Sequence, residues 1–490
     1  MRIRLDKRSQ LAQAGVAPYP AAVARTHSLA QVRQGWGDRL EPGQETTDEV
    51  AVAGRVVFLR NTGKLCFATL QDGFSADSSG DRLQLMLSLA EVGPQRLEDW
   101  KSQVDLGDFV SASGRVIASK RGELSVLAHS WTMAAKALRP LPVLHKDLSE
   151  ETRVRQRQAD LVVRQEARDM VRLRSAVMGA LRQGLEQEGF LEVETPILQL
   201  VHGGAAARPF RTHLNAFDQP MTMRIALELH LKRVMAGGAD RVYEIGRIFR
   251  NEGIDSSHSA EFSMLEFYAA WGDQRSVAAT CQRLIQASAD AALGRRQVVL
   301  DGQEIDLDGD WRWASFYDLV SQAVGQAVDP GTPVETLRQA ADRLGVEHDP
   351  KLGAGKLAMK IYSDLVEHHL AQPTFVHSFP AIAQPLARPS DDDPRLVDAW
   401  DLIIGGLERG TGFSELIDPV IQRQRLTEQS LLAAAGDREA MELDEDFLTA
   451  LEQGVPPMGG VGLGVDRLLM LLTDVGIRET ILFPLLRPLG

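Results

Sequence analysis

The stretch that most constrains the fold is residues 249–268, FRNEGIDSSHSAEFSMLEFY, together with the run RVYEIGRIFRNE that leads into it. Side chains two positions apart share a face of an extended strand. One face of the first run carries Glu244, Gly246, Ile248, Arg250 and Glu252. One face of the second run carries Phe262, Met264, Glu266 and Tyr268. Two such strands, joined by the polar residues 253–260, predict an antiparallel hairpin with one apolar face and one mixed face.

The mixed face of this hairpin has two interpretations. A solvated sheet face would explain its charges, but solvated faces rarely place Phe262, Met264 and Tyr268 among carboxylates. Charged and aromatic side chains that share one face are more typical of a ligand site. We therefore expect a binding site on this face, with a solvated face as the alternative.

A glycine-rich segment near the C-terminus, GGVGLGVDRLLMLL, is a second candidate. Gly460, Gly462 and Gly464 alternate, so one face of a strand would lack side chains and a flat ligand could approach closely. Arg467 follows at the start of an apolar helix, where its planar cation is placed to meet an anion. Close packing of a strand on a helix also favours glycine, and no Walker sequence is present.

The segment DLIIGGLERGTGFSEL is a third candidate because Asp401, Glu408 and Glu415 recur at intervals of seven. Its four glycines argue against a helix, so we predict a strand. Carboxylates on such a strand suit Mg²⁺, which prefers oxygen ligands and substrate phosphates. A polar strand without a metal is the alternative.

The order of these patterns predicts several domains, as expected for 490 residues. Residues 1–45 form a basic N-terminal extension. Residues 46–137 contain five short apolar runs separated by Gly, Asp and Ser, which predict a small closed barrel. An OB-fold is the commonest such barrel, and an SH3-like barrel fits the pattern nearly as well. Residues 138–161 form a charged connector that contains proline.

Residues 162–490 mix helices with strands that look antiparallel near residues 240–268, so we predict an α+β domain. It begins with an amphipathic helix whose apolar residues recur at three- and four-residue steps from Met170 to Leu185. Residues 275–370 are mostly helical in pattern and look like an insertion.

Composition narrows the class of protein. The net charge of −13 argues against indiscriminate binding of nucleic acid but allows a local basic face. Two cysteines are too few for a disulfide framework or a cysteine-based zinc site. No run of eighteen apolar residues and no signal-peptide core is found. We expect a cytoplasmic protein that does not enter a membrane.

Together, these segments resemble the three motifs of class II aminoacyl-tRNA synthetases. GFLEVETPIL resembles motif 1, FRNEGIDSSHSAEFSMLEFY motif 2 and GVGLGVDRLLMLL motif 3. The stretches LELHLKRVMAGGADRVYEIGRIFRNEG and GFSELIDP are similar to class II lysyl-tRNA synthetases in particular. IRETILFPL resembles actinobacterial forms, including the synthetase part of the bifunctional lysyl-phosphatidylglycerol type. The resemblance runs from about residue 10 to the end and favours an OB-fold that binds the anticodon.

The resemblance implies roles for individual residues. It assigns ATP to Arg250, Glu252, His258, Phe262 and Arg467, with Arg250 and Arg467 catalytic. It assigns lysine to Gly204, Glu228, Arg250, Glu266, Tyr268, Thr411 and Glu415, Mg²⁺ to Asp401 and Glu408, and the anticodon to Arg60, Phe67, Gln84 and Glu123. The implied partners are ATP, L-lysine, tRNA-Lys and a second copy of the chain, with Pro196 at the dimer interface.

The implied reaction is formation of lysyl-adenylate from lysine and ATP, followed by transfer to the 3′ end of tRNA-Lys. The alternative is a paralogue that passes activated lysine, or a lysine analogue, to a small molecule or a protein. A relative of the lipid-lysylating proteins and a pure RNA-binding protein are further alternatives. The chain departs from the family pattern at Leu227, which replaces Pro, at Gln384, which replaces Ser, and at Thr411, which replaces Asn. No departure removes a charged catalytic group.

Overall fold

A computed structural model describes residues 1–74, 80–142, 148–437 and 439–488. They belong to two compact units, Met1–Arg172 and Leu173–Gly490. Residues 143–147 of the predicted connector lie outside the described residues. Among the helices that are described, none has both the length and the hydropathy needed to cross a membrane.

The first unit is a five-stranded barrel with short helices. Its strands are β1 (Glu45–Thr62), β2 (Leu65–Gln71), β3 (Arg82–Ser88), β4 (Phe109–Ala118) and β5 (Leu124–Ala135). Its helices are α1 (Arg2–Gln13), α2 (Leu29–Trp36), α3 (Leu89–Val92), α4 (Pro94–Gln103), α5 (Glu150–Arg155) and α6 (Arg157–Val163). The strands close in the order β1-β2-β3-β5-β4. All five predicted strands are therefore confirmed.

Alternation along the barrel strands decides which side chains are available to a ligand. In β3, Leu83, Leu85 and Leu87 are buried, and the residues between them are half-buried. Even-numbered residues of β2 are likewise buried. The outer face of these two strands is therefore left to residues such as Phe67 and Gln84.

The helix α7 (Gln165–Gln187) spans the boundary between the units. It extends the predicted amphipathic helix by a few residues at its N-terminal end. Val177, Leu181 and Leu185 are fully buried on one side of it. The helix is followed by Gly189, whose φ of +81° is the left-handed conformation that favours glycine.

The second unit contains the remaining elements. Its helices are α8 (Glu228–Ala236), α9 (Gln274–Leu293), α10 (Phe316–Val324), α11 (Val334–Leu344), α12 (Ala354–Leu365), α13 (Pro419–Ala434), α14 (Glu445–Glu452), α15 (Val465–Thr473) and α16 (Ile477–Thr480), with 3₁₀ turns at Glu367–His369 and Ala381–Ala383. Its strands are β6 (Leu191–Glu192), β7 (Leu198–Gln199), β8 (Arg211–Leu214), β9 (Gln219–Met223), β10 (Arg241–Phe249), β11 (Glu261–Ala270), β12 (Gln297–Leu300), β13 (Gln303–Asp306), β14 (Arg312–Ser315), β15 (Thr374–His377), β16 (Ala399–Ile404), β17 (Leu407–Ser414) and β18 (Met458–Gly464).

An eight-stranded sheet organises this unit, in the order β14-β15-β16-β17-β18-β11-β10-β6. Its central strands, β15 to β10, are antiparallel. The apolar face of the sheet packs against α7, α9 and α15 in one continuous core that includes Phe267, Val461 and Leu468. The predicted α+β architecture, a barrel followed by an antiparallel sheet flanked by helices, is thus confirmed.

Candidate active site

The other face of the sheet carries a cavity of about 430 Å³. One row of register partners crosses five neighbouring strands: Glu244, Glu266, Gly462, Thr411 and Asp401. The three segments singled out in the sequence therefore lie side by side. Strands distant in sequence meet here because β18 pairs with β11 on one side and β17 on the other.

The cavity brings together most of the site residues predicted for this unit. Its lining includes Gly204, Glu228, Arg250, Glu252, His258, Phe262, Glu266, Tyr268, Glu408, Thr411, Glu415 and Arg467. Asp401 does not belong to the lining, but its register partner Thr411 does. This volume and its mixture of charged and apolar walls suit a small ligand.

The alternation predicts that Arg250 lies within the first strand of the hairpin. In the structure, it lies just beyond the end of β10. The strand ends at Phe249, and both Arg250 and Glu252 belong to the connection to β11. Pairing continues for one more residue, because the Arg250 amide donates to the Ala260 carbonyl at 2.9 Å. The guanidinium lies 5.4 Å from the centroid of the Phe262 ring. It is thereby held at the edge of the cavity in a cation–π contact.

Three buried carboxylates form the deep end of the cavity. Glu228 is in the first turn of α8, Glu266 is on β11 and Glu415 follows β17. They are 5%, 4% and 2% exposed, respectively. Glu266 accepts hydrogen bonds from the Leu227 amide at 2.8 Å and from the Tyr268 hydroxyl at 3.1 Å.

Burial raises the pKa of two of these carboxyls. The pKa of Glu266 rises to about 7 because it is desolvated and lies near Glu228. The pKa of Glu415 rises to about 8 because desolvation outweighs the nearby Lys232 ammonium. A cationic ligand would interact favourably with carboxyls whose pKa values are raised by burial, because its positive charge would stabilise their ionised forms.

The ammonium of Lys232 is an unforeseen member of this group. Its Nζ donates to Glu228 Oε1 at 2.5 Å and also contacts Glu415. Burial alone would lower the pKa of Lys232, but the two carboxylates raise it to about 12. Sequence spacing could have revealed half of this arrangement, because Glu228 and Lys232 are four residues apart on one helix.

Glycine at position 460 is required by packing. A Cβ there would overlap both the Tyr268 ring and the Glu415 carboxylate. At Gly462, by contrast, a Cβ would meet nothing closer than 3.8 Å. The absence of side chains on this face of the strand therefore has two different roles. Gly460 lets the acidic end pack tightly, and Gly462 leaves open space in the cavity.

Arg467 stands at the opposite end of the cavity. Its guanidinium donates to the Glu408 carbonyl at 2.9 Å and lies 3.2 Å from His258 Nε2. The exposed His258 is held in turn by Asp255, whose carboxylate is 2.9 Å from its Nδ1. The first turn of α15 and the connection between β10 and β11 thus place an arginine beside the His258 ring. No pattern in the sequence indicated that Asp255 would hold His258.

The acidic segment forms a hairpin rather than the single strand predicted. β16 and β17 turn at Gly405 and Gly406, which both have positive φ. Burial and the nearby Glu408 raise the pKa of Asp401 well above its ordinary value. Within the described residues no cluster of three or more His, Cys, Asp or Glu side chains is arranged around a metal position.

Glu244 has a structural partner that the alternation did not show. Its carboxylate accepts from Arg224 at 2.6 Å and from the Thr195 hydroxyl at 2.7 Å. It is therefore committed to an internal ion pair and does not line the cavity. The mixed face of the hairpin thus divides into a structural half and a cavity half.

The four residues predicted to bind the anticodon lie on the barrel in the first unit. Phe67 is half-buried on β2 and pairs in register with the exposed Arg60 on β1. Gln84 on β3 donates to Ser125 Oγ at 2.8 Å. The exposed Glu123 forms an ion pair with Arg33 at 3.3 Å. Three of the four are therefore on adjacent strands of one outer face, and the fourth precedes β5.

Comparisons with known proteins agree with this architecture. Residues 149–487 match the model for class II tRNA synthetases (D, K and N), and residues 50–134 match the OB-fold nucleic acid binding domain. The fold and the cavity thus define a class II tRNA synthetase with an OB-fold domain.

Similarity to individual proteins narrows the class. The chain is 56% identical to a lysine–tRNA ligase of Mycolicibacterium gilvum over 489 residues, which cover 99% of this chain and 96% of that protein. It is 55% identical to a lysine–tRNA ligase of Kineococcus radiotolerans, over 100% of this chain and 97% of that protein. It belongs to the lysine–tRNA ligase family. It is also similar to a lysylphosphatidylglycerol biosynthesis bifunctional protein of Rhodococcus jostii. The two are 45% identical over a region that covers 100% of this chain and 43% of that protein.

Proposed function

We propose that this chain activates L-lysine with ATP to form lysyl-adenylate and transfers the lysyl group to the 3′ end of tRNA-Lys. The observation that carries the proposal is the cavity, where three buried carboxylates lie at one end and three arginines, Arg250, Arg409 and Arg467, line the wall. A small dicationic amino acid fits the first feature, and a polyphosphate fits the second. Charging of tRNA would take place in the cytoplasm.

Lysine would bind at the acidic end of the cavity. Glu228 and Glu415 would pair with its two ammonium groups, because a buried cation needs nearby anions to offset its desolvation. The remaining walls would be supplied by Gly204, Glu266, Tyr268 and Thr411. The lysine carboxylate would then point towards Arg250.

ATP would lie between Arg250 and Arg467. Phe262 would stack on the adenine, Glu252 and His258 would contact the adenine or the phosphates, and Arg467 would bind the γ-phosphate. Arg250 would bridge the α-phosphate and the lysine carboxylate. A carboxylate oxygen forms the new bond to the α-phosphorus while the bond to pyrophosphate breaks, so no general base is required. Negative charge develops on the oxygens around the α-phosphorus, and Arg250 would stabilise it.

Asp401 and Glu408 would hold Mg²⁺. The raised pKa of Asp401 marks a desolvated carboxylate close to another acid, and a divalent cation would stabilise its ionised form. Mg²⁺ usually takes one or two protein carboxylates and completes its shell with phosphates and water. When bound, it would neutralise phosphate charge. Asp401 has a shorter side chain than the Glu usual in the family, so Thr411, its register partner, helps to define the position.

The barrel would read the anticodon of tRNA-Lys. A splayed base would stack on Phe67, and Gln84 and Glu123 would bond to base edges while Arg60 meets a phosphate. Phe67 is half-buried, so part of its side chain is accessible to a base.

A homodimer would form around the segment that contains Pro196. Three apolar neighbours of this proline are exposed: Ile197 at 42%, Leu198 at 46% and Leu200 at 63%. Exposed apolar side chains in one segment favour a protein partner. Sedimentation measurements would test this proposal, and a monomer at micromolar concentration would contradict it.

The function is tested by two assays on the same preparation. Lysine-dependent exchange of pyrophosphate into ATP measures activation, and charging of a tRNA-Lys transcript measures transfer. We expect both activities. Exchange without charging would instead support the paralogue that passes lysine to another acceptor. If a lysine analogue drives exchange better than lysine does, the acidic end of the cavity would be selecting a different amino acid.

A further inference from the structure

Lys232 occupies a position that the proposed reaction leaves unexplained. Its side chain is fully buried, and its ammonium contacts both carboxylates that would receive the ammonium groups of lysine. The side chain of Lys232 therefore already contacts the carboxylates that the substrate lysine is expected to contact. The following inference rests on the proposed function of that site.

The charged groups around Lys232 come from several elements. Glu228 is on its own helix, and Glu415 approaches from the end of β17. Glu266 and the Tyr268 hydroxyl, both on β11, lie near these two carboxylates. Arg250 is a second cation whose charge acts on this group, through Glu266. When all three carboxyls are ionised, as a bound cation would favour, Lys232 and Arg250 leave them with one net negative charge. Lysine, with two ammonium groups and one carboxylate, carries one net positive charge and would balance it.

A role confined to helix stability does not account for this arrangement. Exposed pairs four residues apart on a helix contribute only about 0.3–0.5 kcal/mol, and the chain contains such a pair in Lys360 and Asp364, at 2.7 Å. Lys232 differs because it is fully buried and bridges α8 to a different segment. Its charge acts on two carboxylates that are themselves buried.

We propose that Lys232 is a positioning residue that sets amino-acid specificity by charge. It serves as a permanent counter-ion that holds Glu228 and Glu415 together in the free protein, and it limits the pocket to one negative charge, so that a ligand of net charge +1 is preferred. Without it, the two carboxylates would repel each other, and the pocket would bind a proton or prefer a ligand of higher charge.

The test uses the full chain with Lys232→Met, which keeps most of the side-chain volume. At pH 7 we expect the KM for lysine in pyrophosphate exchange to rise at least tenfold while the KM for ATP stays within about threefold. The acid limb of the lysine kcat/KM profile should move to higher pH by about one unit, because a carboxyl must then lose its proton without help from Lys232. The matched control is Lys360→Met, which should leave both KM values unchanged.

A second readout measures charge selectivity directly. Cadaverine resembles lysine without its carboxylate and carries two positive charges at pH 8. For each protein we compare the affinity for cadaverine, measured as inhibition, with the affinity for lysine. We expect the ratio of cadaverine affinity to lysine affinity to be at least fivefold higher in Lys232→Met than in the parent protein. The double variant Lys232→Met with Glu228→Gln removes one charge of each sign, so it should fold even if the single variant does not. Both ligands should bind it more weakly because Glu228 no longer pairs with an ammonium group, but the ratio of cadaverine inhibition to lysine affinity should return to that of the parent.

Three outcomes would overturn the inference: a lysine KM within twofold of the parent, an equal increase at every pH with no change in cadaverine preference, or a double variant that prefers cadaverine. Absence of lysine-dependent exchange in the parent protein would instead contradict the proposed function, so the two failures are distinguishable.

Discussion

The cavity of the second unit and the outer face of the barrel represent two ways of presenting charge to a ligand. In the cavity, Glu228, Glu266 and Glu415 are at least 95% buried, and internal groups fix each of them. On the barrel, Arg60 and Glu123 are exposed, and Phe67 is half-buried on an open strand.

This difference matches the ligands that we propose. A small amino acid can be enclosed, so desolvated charges that fix its charge and length suit it. An RNA base must be splayed out from a large molecule, so an accessible ring and polar edges suit it better. Substitutions in the cavity should therefore affect chemistry, whereas substitutions on the barrel should affect only steps that involve tRNA.

The largest expected effect is at Arg250. Arg250→Ala should reduce kcat/KM for pyrophosphate exchange by about 10³-fold or more, because it removes the charge proposed to stabilise the reacting phosphorus. Arg247→Ala is a matched control, since Arg247 is on β10 with a long ion pair to Glu261 at 3.7 Å and does not line the cavity. Exchange near the parent rate in Arg250→Ala would refute the role assigned to this arginine.

A smaller effect, confined to charging, is expected at Phe67. Phe67→Ala should leave exchange intact and reduce kcat/KM for charging of tRNA-Lys about tenfold, in line with the stacking energy of one base. Phe67→Tyr keeps an aromatic ring and should retain charging. Equal loss of exchange and charging in Phe67→Ala would remove the distinction between the two regions and would contradict anticodon binding.

Much of the fold could be predicted because its periodic signals are local. Five alternating runs define the barrel, and the hairpin faces follow from a period of two, as the pairing of Glu266 with Glu244 demonstrates. The end of β10 was misplaced because the strand ends at Phe249, with one further backbone hydrogen bond at Arg250, although the alternation continues to Glu252. The turn at Gly405 was missed because runs on both sides of it read as one polar strand.

The site was less accessible to sequence reasoning because it depends on contacts between distant segments. Alternation and spacing singled out three segments, the resemblance assigned roles to their residues, and the structure brings most of those predicted for the second unit to one cavity. The commitment of Glu244 to Arg224 and the contact of Lys232 with Glu415 require the folded sheet. Alternation assigns a residue to a face, but only packing decides which groups on that face remain available to a ligand.

The pH dependence of lysine binding would sharpen the contrast between buried and exposed charges. In the free protein the pKa of Glu266 is about 7 and that of Glu415 about 8, so both carboxyls hold protons below neutral pH. Bound ammonium groups would lower these pKa values, so binding releases protons and affinity rises with pH. Each carboxyl that loses its proton on binding should increase lysine affinity by up to about tenfold per pH unit below its own pKa, between pH 6 and 8. Calorimetry in buffers of different ionisation enthalpy measures the proton release, and none at pH 7 would contradict the prediction.

The smallest expected effect is at Leu227, where the family pattern has proline. The Leu227 amide donates to Glu266 Oε1 at 2.8 Å, a hydrogen bond that a proline cannot make. This bond favours the ionised carboxylate and lowers the pKa of Glu266 against the effect of burial. Leu227→Pro should therefore weaken lysine binding about threefold to tenfold at pH 6.5, the range of one net hydrogen bond, and much less at pH 8.5.

Leu227→Ala provides the matched control, because it shortens the same buried side chain but keeps the amide donor. A cavity at this position would lower thermal stability in both variants, but only the loss of the donor should make lysine affinity more dependent on pH. If both variants shift the pH profile equally, packing at Leu227 rather than its N–H controls Glu266. The ionisation of the buried carboxylates would then depend on how the pocket is packed. Packing, and not hydrogen bonding, would then distinguish the buried charges of the cavity from the exposed charges of the barrel.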